Sequence, residues 1–375
     1  MPDAQLRQLD SLNDLLPALA AAADEMETNP EAWRQVWKDP RMRAVSFAGV
    51  PEGINPYPFR EAGLGPDCGH ALHLALVERL SRGAASAMMA LPASALSTRA
   101  VLRLGTAEQI THFFQPFAEG EAWTFFGVTE PAVGSDAGQV RSVLQPHGAG
   151  WRLSGCKTLI GGATLARRGL VLAREQQTGV LRLVMIAQAA DGTRFRARKL
   201  AAAGLMGAGI SELQFDGFEA GPGDILAAGD RRPVMLTLSD VFEKHRPMVG
   251  AMALGTGRAM LDRLQQHRLL QGFDDLVRDH AALLGRMIRL GRQADHGPLP
   301  IHAVSQFKRQ ATALADAIRL RIARRAPDLI LQDPRSRRLW RDAAAFEYME
   351  GTSAIHRLNA YRDYLSGDVL NDLAV

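Results

Sequence analysis

Cysteine is scarce in this chain, and its scarcity excludes cysteine-based frameworks. Cys68 and Cys156 are the only cysteines among 375 residues. Two cysteines are too few for a disulfide framework or a zinc site, so no metal centre is expected. We therefore interpret them as two reduced thiols in a cytoplasmic protein.

Long hydrophobic runs are also absent from the sequence. The longest, such as the run at residues 91–96, are far shorter than the ~20 residues that a membrane-spanning helix needs. The N-terminal segment MPDAQLRQLD has no basic start followed by an apolar core, so a secretory signal is not expected. The sequence therefore predicts no contact with a membrane.

Lysine is rare, although the net charge is +4 and the pI is 9.3. The chain has five lysines, and almost all of its positive charge comes from arginine. Arginines such as Arg319, Arg321, Arg324 and Arg325 follow one another on a helical pattern without interleaved aromatic residues. This pattern indicates a solvated helix face, and no nucleic-acid partner is expected.

The hydrophobic pattern divides the chain into three regions. In residues 1–122, apolar residues recur at three- and four-residue spacing, which predicts a helical domain. Residues 123–228 instead contain short runs of β-forming residues between Gly, Asp and Ser turns, which predict a small β-domain. In residues 229–375 the helical pattern returns over four long segments. We therefore expect an α+β fold, mainly α, that ends in a four-helix bundle.

The individual predicted elements follow from the same periodicities. The predicted helices cover residues 12–26, 71–82, 107–117, 242–268, 276–293, 302–326 and 337–365. The predicted strands cover residues 151–153, 169–173, 181–187 and 212–215. Residues 50–65 are rich in Pro and Gly and are expected to be irregular.

Two segments combine residue types that can carry chemistry. At residues 128–136, Pro131 and Gly134 favour a turn that could bring backbone amides and two hydroxyl groups, those of Thr129 and Ser135, onto a ligand. At residues 341–353, an acidic residue followed by glycine, Glu350, lies on a helical stretch otherwise rich in apolar residues. Burial would raise the pKa of such a carboxylate and suit it to general-base catalysis. From the residues alone, a plain loop and a surface carboxylate remain the simpler interpretations.

Together these segments resemble the signatures of the acyl-CoA dehydrogenases. Residues 129–136 resemble the TEP-x-x-GSD signature, and residues 341–352 resemble RD-x₇-EGT at the same internal spacing. Residues 242–247, which read FEKHRP, resemble the family's FDKTRP segment. The resemblance covers almost the whole chain in the same order. It implies an acyl-CoA dehydrogenase-like fold of N-terminal helical domain, β-domain and C-terminal four-helix bundle.

The resemblance also implies roles for particular residues. Glu350 aligns with the base that removes the α-proton of an acyl thioester, while hydride passes from carbon β to FAD. The residues that would contact the cofactor are Phe126, Val128, Thr129, Ser135, Leu159, Gly161 and Thr352. The residues that would contact the substrate are Ser135, Phe242, Glu243, Arg246, Met349 and Gly351.

The chain departs from the family pattern around the flavin. The family's WIT triplet is replaced by Leu159-Ile160-Gly161, and Ala354 replaces a glutamine after the EGT signature. The glycine-rich segment that precedes RD in the family is also missing. Because a ring and two hydrogen-bonding groups are lost, we expect FAD to bind more weakly than is usual for the family.

The leading hypothesis is therefore FAD-dependent α,β-dehydrogenation of an acyl thioester carried on CoA or on an acyl carrier protein. Electron-transfer flavoprotein or oxygen would accept the electrons, and a homodimer or homotetramer is expected. One alternative is a flavin-free isomerase or eliminase that retains Glu350 as its base. The other is a catalytically silent subunit of an acyl-CoA dehydrogenase-like complex.

Overall fold

The computed structural model describes residues 3–65, 68–92, 95–120, 122–226 and 234–366. The N-terminal part of the chain is helical, and two of its helices lie beside the candidate site. Its helices are α1 (Asp3–Asp10), α2 (Leu16–Glu25), α3 (Trp33–Trp37), α4 (Pro40–Ser46), α5 (His70–Met89), α6 (Ala95–Leu104) and α7 (Ala107–Phe114).

Local side-chain bonds explain where several of these helices begin. Thr106 caps α7, because its hydroxyl accepts from the backbone N–H of Gln109 at 3.3 Å. The amide oxygen of Gln109 accepts in return from the N–H of Thr106 at 3.0 Å. This reciprocal capping satisfies two donors that the first turn of a helix would otherwise leave unpaired. At α4, the Asp39 carboxylate accepts from Arg41 N–H at 2.8 Å, and Pro40 occupies the first turn.

Among the described residues, seven strands form one mixed sheet in the middle of the chain. They are β1 (Thr124–Gly127), β2 (Val143–His147), β3 (Gly150–Ile160), β4 (Arg168–Glu175), β5 (Leu181–Ile186), β6 (Phe195–Lys199) and β7 (Ser211–Ala220). The strand order is β1-β4-β2-β3-β7-β6, and β5 pairs separately with β4. Strand β4 runs parallel to β1 and β2, whereas the other pairs are antiparallel.

Helices return after the sheet. They are α8 (Val234–Gln266), α9 (Asp274–His296), α10 (Ile301–Arg325), α11 (Pro327–Gln332), α12 (Pro334–Ala345) and α13 (Ser353–Ser366). Helix α8 crosses α5 very closely: a Cβ added to Gly255 would lie 2.2 Å from the carbonyl oxygen of Glu78. Only glycine permits this approach, which holds α8 against the wall formed by α5.

The predicted succession of helices, small β-domain and helical bundle is confirmed, but one predicted helix is wrong. Residues 337–365 were expected to form a single helix, whereas the structure divides them between α12 and α13. Glu350 and Gly351 adopt positive φ angles of +53° and +106°, which an α-helix does not contain. The break places Glu350 on the turn between α12 and α13.

Two apolar clusters hold these parts together. One lies within the sheet region, where Phe195 stacks on Phe215 with ring centroids 4.7 Å apart. The other is larger and joins both helical parts to the neighbouring face of the sheet, including Leu170 and Leu183. Within the described ranges, no helix is long and apolar enough to cross a membrane.

Candidate active site

Glu350 lies on a sharp turn that connects α12 to α13. Lys308, on α10, is fully buried and donates to the carbonyl oxygens of Gly351 at 2.7 Å and Glu347 at 3.2 Å. Burial lowers the pKa of Lys308 to about 8. Two carbonyl acceptors on either side of Glu350 therefore fix the turn, although Glu350 has a left-handed backbone that costs on the order of 1–3 kcal/mol.

The Glu350 carboxylate is nearly enclosed and has one engaged and one unengaged oxygen. Its side chain is 9% exposed, and Oε1 lies in hydrogen-bond contact with Nδ1 of His245 on α8. Oε2 is buried and has no hydrogen-bond partner among the described residues. Arg246 donates from Nε to the backbone oxygen of Glu350 at 3.1 Å. One carboxylate oxygen is thus anchored, and the other remains available to accept a proton.

Backbone donors also remain unused at this turn. Within the described part of the chain, the N–H groups of Glu350 and Gly351 donate to no backbone or side-chain acceptor. Unpaired backbone N–H groups are rare in folded proteins unless a ligand or water satisfies them. Together with the free Oε2, they provide both an acceptor for a proton and donors for a carbonyl oxygen.

Glu347, one turn earlier, cannot serve in the same way. Its two carboxylate oxygens accept from Ser353, through the backbone N–H at 2.6 Å and the hydroxyl at 2.7 Å. These bonds cap the beginning of α13. Glu347 therefore helps to position the Glu350 turn, whereas Oε2 of Glu350 stays free to accept a proton.

Several residues expected to contact the substrate surround Glu350. The Phe242 ring meets Phe126 edge to face at 6.0 Å, and the Arg246 guanidinium lies 5.6 Å from the centre of the Phe242 ring. Glu243 accepts from the Ser239 hydroxyl at 2.6 Å, and burial raises its pKa. Met349 is half-buried against the larger core cluster. The structure therefore gathers Phe126, Phe242 and Arg246 with Glu350 and Gly351.

The segment at residues 128–136 is held in place by a buried ion pair. Nζ of Lys157, on β3, bonds to Oε1 of Glu130 at 2.8 Å and to the carbonyl oxygen of Val128 at 3.2 Å. The Thr129 carbonyl accepts from the backbone N–H of Thr158 at 2.9 Å. Ser135 is exposed and makes no bond to the Glu350 group among the described residues. The Glu130–Lys157 ion pair and backbone hydrogen bonds fix the loop, so the Thr129 and Ser135 side chains are not needed to hold it.

Two of the expected flavin contacts lie in open surroundings. Leu159 is 58% exposed with a φ of +60°, and a Cβ added to Gly161 would meet nothing within 4 Å. Phe126, on β1, is half-buried, and its ring meets that of Phe242. The exposed Leu159 side chain is one on which a planar ring system could pack by apolar contact. The Thr352 carbonyl accepts from the backbone N–H of His356 at 3.1 Å, and Thr352 has no described contact with the segment at residues 128–136.

Sequence reasoning missed four residues near Glu350. His245 lies inside the FEKHRP segment but was not selected, although histidine there replaces the family's threonine; that substitution was the available signal. His73 lies on the predicted helix at residues 71–82 and Arg99 lies outside the predicted helices, and only the packing of α5 and α6 brings them near Glu350. Lys308 had no signal beyond being one of five lysines.

A helical domain, a mixed β-sheet and a helical bundle around a buried carboxylate define the acyl-CoA dehydrogenase fold, and comparison with known proteins agrees. The family model for the acyl-CoA dehydrogenase middle domain matches residues 125–218. An acyl-CoA dehydrogenase structure from Geobacillus kaustophilus superposes with a TM-score of 0.81 and 16% identity, covering 97% of this chain and 98% of that one.

Two relatives extend the similarity at the sequence level. Cyclohexane-1-carbonyl-CoA dehydrogenase of Geobacter metallireducens is 25% identical over 310 residues, which cover 77% of this chain and 80% of that enzyme. A 3-(aryl)acrylate reductase of Clostridium sporogenes is 28% identical over 245 residues, which cover 64% of this chain and 62% of the reductase. The chain is thus similar to acyl-CoA dehydrogenases over most of its length.

Proposed function

We propose that the protein catalyses α,β-dehydrogenation of an acyl thioester, with Glu350 as the base that removes the α-proton. The observation that carries the proposal is the buried, unengaged Oε2 of Glu350 on a turn fixed by Lys308. An α-proton beside a thioester is only weakly acidic, so a positioned carboxylate must act together with stabilisation of the developing enolate oxygen.

The turn itself supplies that stabilisation. The N–H groups of Glu350 and Gly351 have no acceptor among the described residues and can donate to the thioester oxygen. The Arg246 guanidinium and the Lys308 ammonium add positive charge beside the same turn. Hydrogen bonds and charges that are in place before the reaction lower the barrier without further reorganisation.

His245 orients the base. Its contact with Oε1 holds the carboxylate in one rotamer, so that Oε2 is the oxygen presented to the α-carbon. The half-buried rings of Phe126 and Phe242 form an apolar side to the site that limits the access of water. A dry site strengthens each electrostatic contact made within it.

FAD, which the family relationship implies, supplies the hydride acceptor for the β-hydrogen when it is bound. The residues that would hold it are Phe126, Val128, Thr129, Ser135, Leu159, Gly161 and Thr352. Those that would contact the acyl thioester are Ser135, Phe242, Glu243, Arg246, Met349 and Gly351. The thioester would be carried on CoA or an acyl carrier protein, and electron-transfer flavoprotein or oxygen would reoxidise the flavin.

The substitution Glu350→Gln tests the base directly. Glutamine preserves the shape of the side chain but cannot accept a proton at neutral pH. We expect the rate of butyryl-CoA oxidation to fall by about 10²–10⁴-fold, the range typical of general-base removal, with a much smaller change in KM. Exchange of the butyryl-CoA α-protons into deuterated water, followed by mass spectrometry, should be lost as well.

Glu347→Gln is the matched control, because glutamine can still accept from Ser353. It should retain activity within about tenfold of the wild type, since Glu347 positions the turn without reaching the substrate. Full activity in Glu350→Gln with loss in Glu347→Gln would show that the base is assigned to the wrong residue. Proton exchange without oxidation, in protein that contains no flavin, would instead favour an isomerase or eliminase that uses Glu350.

A further inference from the structure

A cavity of about 230 Å³ lies between the N-terminal helices and the helical bundle. Its polar lining consists of Asn13 before α2, Arg82 on α5, Asp262, Arg263 and Gln266 on α8, and Arg335 on α12. His245, which contacts Glu350, lies on the same helix as Arg263 but roughly 27 Å away along the axis, by the rise of ~1.5 Å per residue. The cavity is therefore separate from the candidate active site.

The amide oxygens in the lining of this cavity are already engaged. Oδ1 of Asn13 accepts from Arg79 at 2.7 Å, and Oε1 of Gln266 accepts from Nη1 of Arg263 at 2.5 Å. The amide nitrogens of Asn13 and Gln266 have no partner among the described residues. Each amide therefore keeps an NH₂ group that can donate two hydrogen bonds to a ligand.

Two of the arginines in the lining have carboxylate partners within the protein. Arg82 donates from Nε and Nη2 to the two oxygens of Glu78 at 3.0 and 2.9 Å. Its Nη1 has no partner among the described residues, so one end of this guanidinium still offers donors. Nη2 of Arg263 lies 2.8 Å from the Asp333 carboxylate. The positive charge of both arginines is thus compensated.

Arg335, on the first turn of α12, has no such partner. Its Nε is buried without a hydrogen-bond partner, and the side chain makes no hydrogen bond or ion pair with a described residue. Burial lowers the pKa of Arg335, and the charges of Arg338 and Arg263 act in the same direction. Asp24 and Asp333 act against this shift, but Asp24 is bonded to Arg338 at 2.7 Å and Asp333 is held by Arg263. A half-buried guanidinium without a counter-charge is costly unless a bound anion compensates it.

The cavity suits a small anion in size, access and charge. A volume of about 230 Å³ has room for several molecules of water, each of which takes ~30 Å³ in the liquid. Asn13 and Gln266 are exposed, whereas Arg335 is half-buried, so a ligand can reach Arg335 from the solvent side. Asp262, the acidic residue among the described lining, lies 2.9 Å from Nε of Arg258 and is therefore compensated. The uncompensated charge of the lining is positive.

We propose that this cavity binds a phosphate group, with Arg335 as its main ligand. Nη1 of Arg82 and the amide groups of Asn13 and Gln266 would supply further donors. A guanidinium group pairs with phosphate through two parallel hydrogen bonds, and the several oxygens of a phosphate can use donors that converge from different helices. A carboxylate has only two oxygens and a single charge, so it would leave more of these donors unpaired. The proposal does not depend on the assignment of Glu350 as the base.

Calorimetry with inorganic phosphate tests the site on the unmodified protein in a phosphate-free buffer. We expect saturable binding of one phosphate per chain with a Kd on the order of 1 mM, which corresponds to two or three charge-assisted hydrogen bonds. Acetate, the carboxylate probe, should bind at least about tenfold more weakly. AMP presents a phosphate on a larger body. If AMP binds more tightly than inorganic phosphate and its binding also requires Arg335, the phosphate belongs to a larger ligand.

Arg335→Met should raise the Kd for phosphate by at least about tenfold, because it removes the charged ligand. Arg335→Lys keeps the charge without the paired geometry and should give an intermediate Kd. Arg337→Met is the matched control, since residues two positions apart do not share a helix face. Arg337 is exposed and donates to the backbone oxygen of Leu331 at 2.8 Å. Its replacement removes the same charge and should leave the Kd within about twofold.

Thermal unfolding distinguishes a ligand site from an arginine that only supports the fold. Without phosphate, Arg335→Met should unfold at or above the temperature of the unmodified protein, since an uncompensated charge has been removed. Phosphate should stabilise the unmodified protein but not Arg335→Met, because a ligand stabilises only a state that binds it.

Four outcomes would overturn the site. They are no saturable phosphate binding up to about ten times the expected Kd, equal phosphate affinity in Arg335→Met, acetate bound as tightly as phosphate, and a lower unfolding temperature of Arg335→Met in the absence of phosphate. The last outcome would show that the Arg335 charge is compensated within the protein. None of these results bears on the turnover of Glu350→Gln, so the site and the proposed function can fail separately.

Discussion

Gly161 stands where the family's WIT triplet has threonine, and nothing nearby obstructs a threonine side chain at this position. It follows β3 directly, its φ is not positive, and the space around an added Cβ is open. Leu159 differs, because its φ of +60° lies in the left-handed region, where any residue that carries a Cβ is strained. Gly161 is therefore the better position at which to restore a side chain.

We expect Gly161→Thr to tighten FAD binding. One recovered hydrogen bond contributes about 0.5–1.5 kcal/mol, which corresponds to roughly a two- to tenfold lower Kd by fluorescence titration of the protein freed of flavin. Gly223→Thr is the control, because that glycine also has open space and no positive φ but lies on the turn after β7. An unchanged Kd in Gly161→Thr, or nanomolar FAD binding by the unmodified protein, would contradict our interpretation of the eroded motif.

At the scale of elements, α12 connects the three parts of the molecule. Arg338 bonds to Asp24 at 2.7 Å, and Arg341 bonds to Glu27, so α12 is tied to the end of α2. Asp342 accepts from the backbone N–H of Leu205 at 2.6 Å, which ties it to the segment before β7. Arg341 and Asp342, which match the family's RD signature, therefore join parts of the fold and make no described contact with Glu350.

Asp342→Asn tests this connection through its pH dependence. Burial raises the pKa of Asp342 to about 6, well above the ~3.9 of an unfolded aspartate. The stability that the group contributes is full below the unfolded pKa and is lost as pH rises through about 6, since the folded state then holds a costly buried charge. Asparagine keeps the acceptor for Leu205 and does not ionise.

We therefore expect the unfolding free energy of Asp342→Asn, relative to wild type, to improve between pH 4 and pH 7. The expected difference is on the order of 3 kcal/mol, measured by urea denaturation at each pH. Asp342→Ala, which loses the acceptor, should be less stable than Asp342→Asn at both pH values by about 1–3 kcal/mol. A pH-independent difference between Asn and Asp would contradict the raised pKa.

Local patterns predicted the long elements well but not the contacts that make the site. Helices α9 and α10 follow from apolar periodicity, because each buries one face, whereas the middle of α8 and much of α5 are buried on nearly all sides. The break at Glu350 was missed, because hydrophobic spacing carries no information about a positive φ. The contact of His245 with Glu350 joins residues 105 positions apart, so it depends on how α8 packs against the turn.

At the scale of the whole molecule, α13 leaves an apolar face uncovered. Tyr361 is 59% exposed and Leu365 is 65% exposed, with Leu358 and Tyr364 on the same helix also exposed. Large exposed apolar side chains grouped on one element often mark an interface between proteins. This face is suited to the homodimer or homotetramer that the family resemblance leads us to expect.

Replacing Tyr361 and Leu365 together by lysine should weaken this association. Two buried charges at an interface, with two apolar contacts removed, would cost several kcal/mol, enough to raise the dissociation constant by about a hundredfold or more. Light scattering at micromolar concentration should then show a lower mass than for the unmodified protein.

Val180→Lys is the control, because Val180 is also an exposed apolar residue but lies in the turn between β4 and β5. If the unmodified protein has only monomer mass, the oligomer prediction is wrong. If the unmodified protein associates and the double variant associates equally well, the interface lies on another face of the molecule. The two proteins should then have the same affinity for FAD.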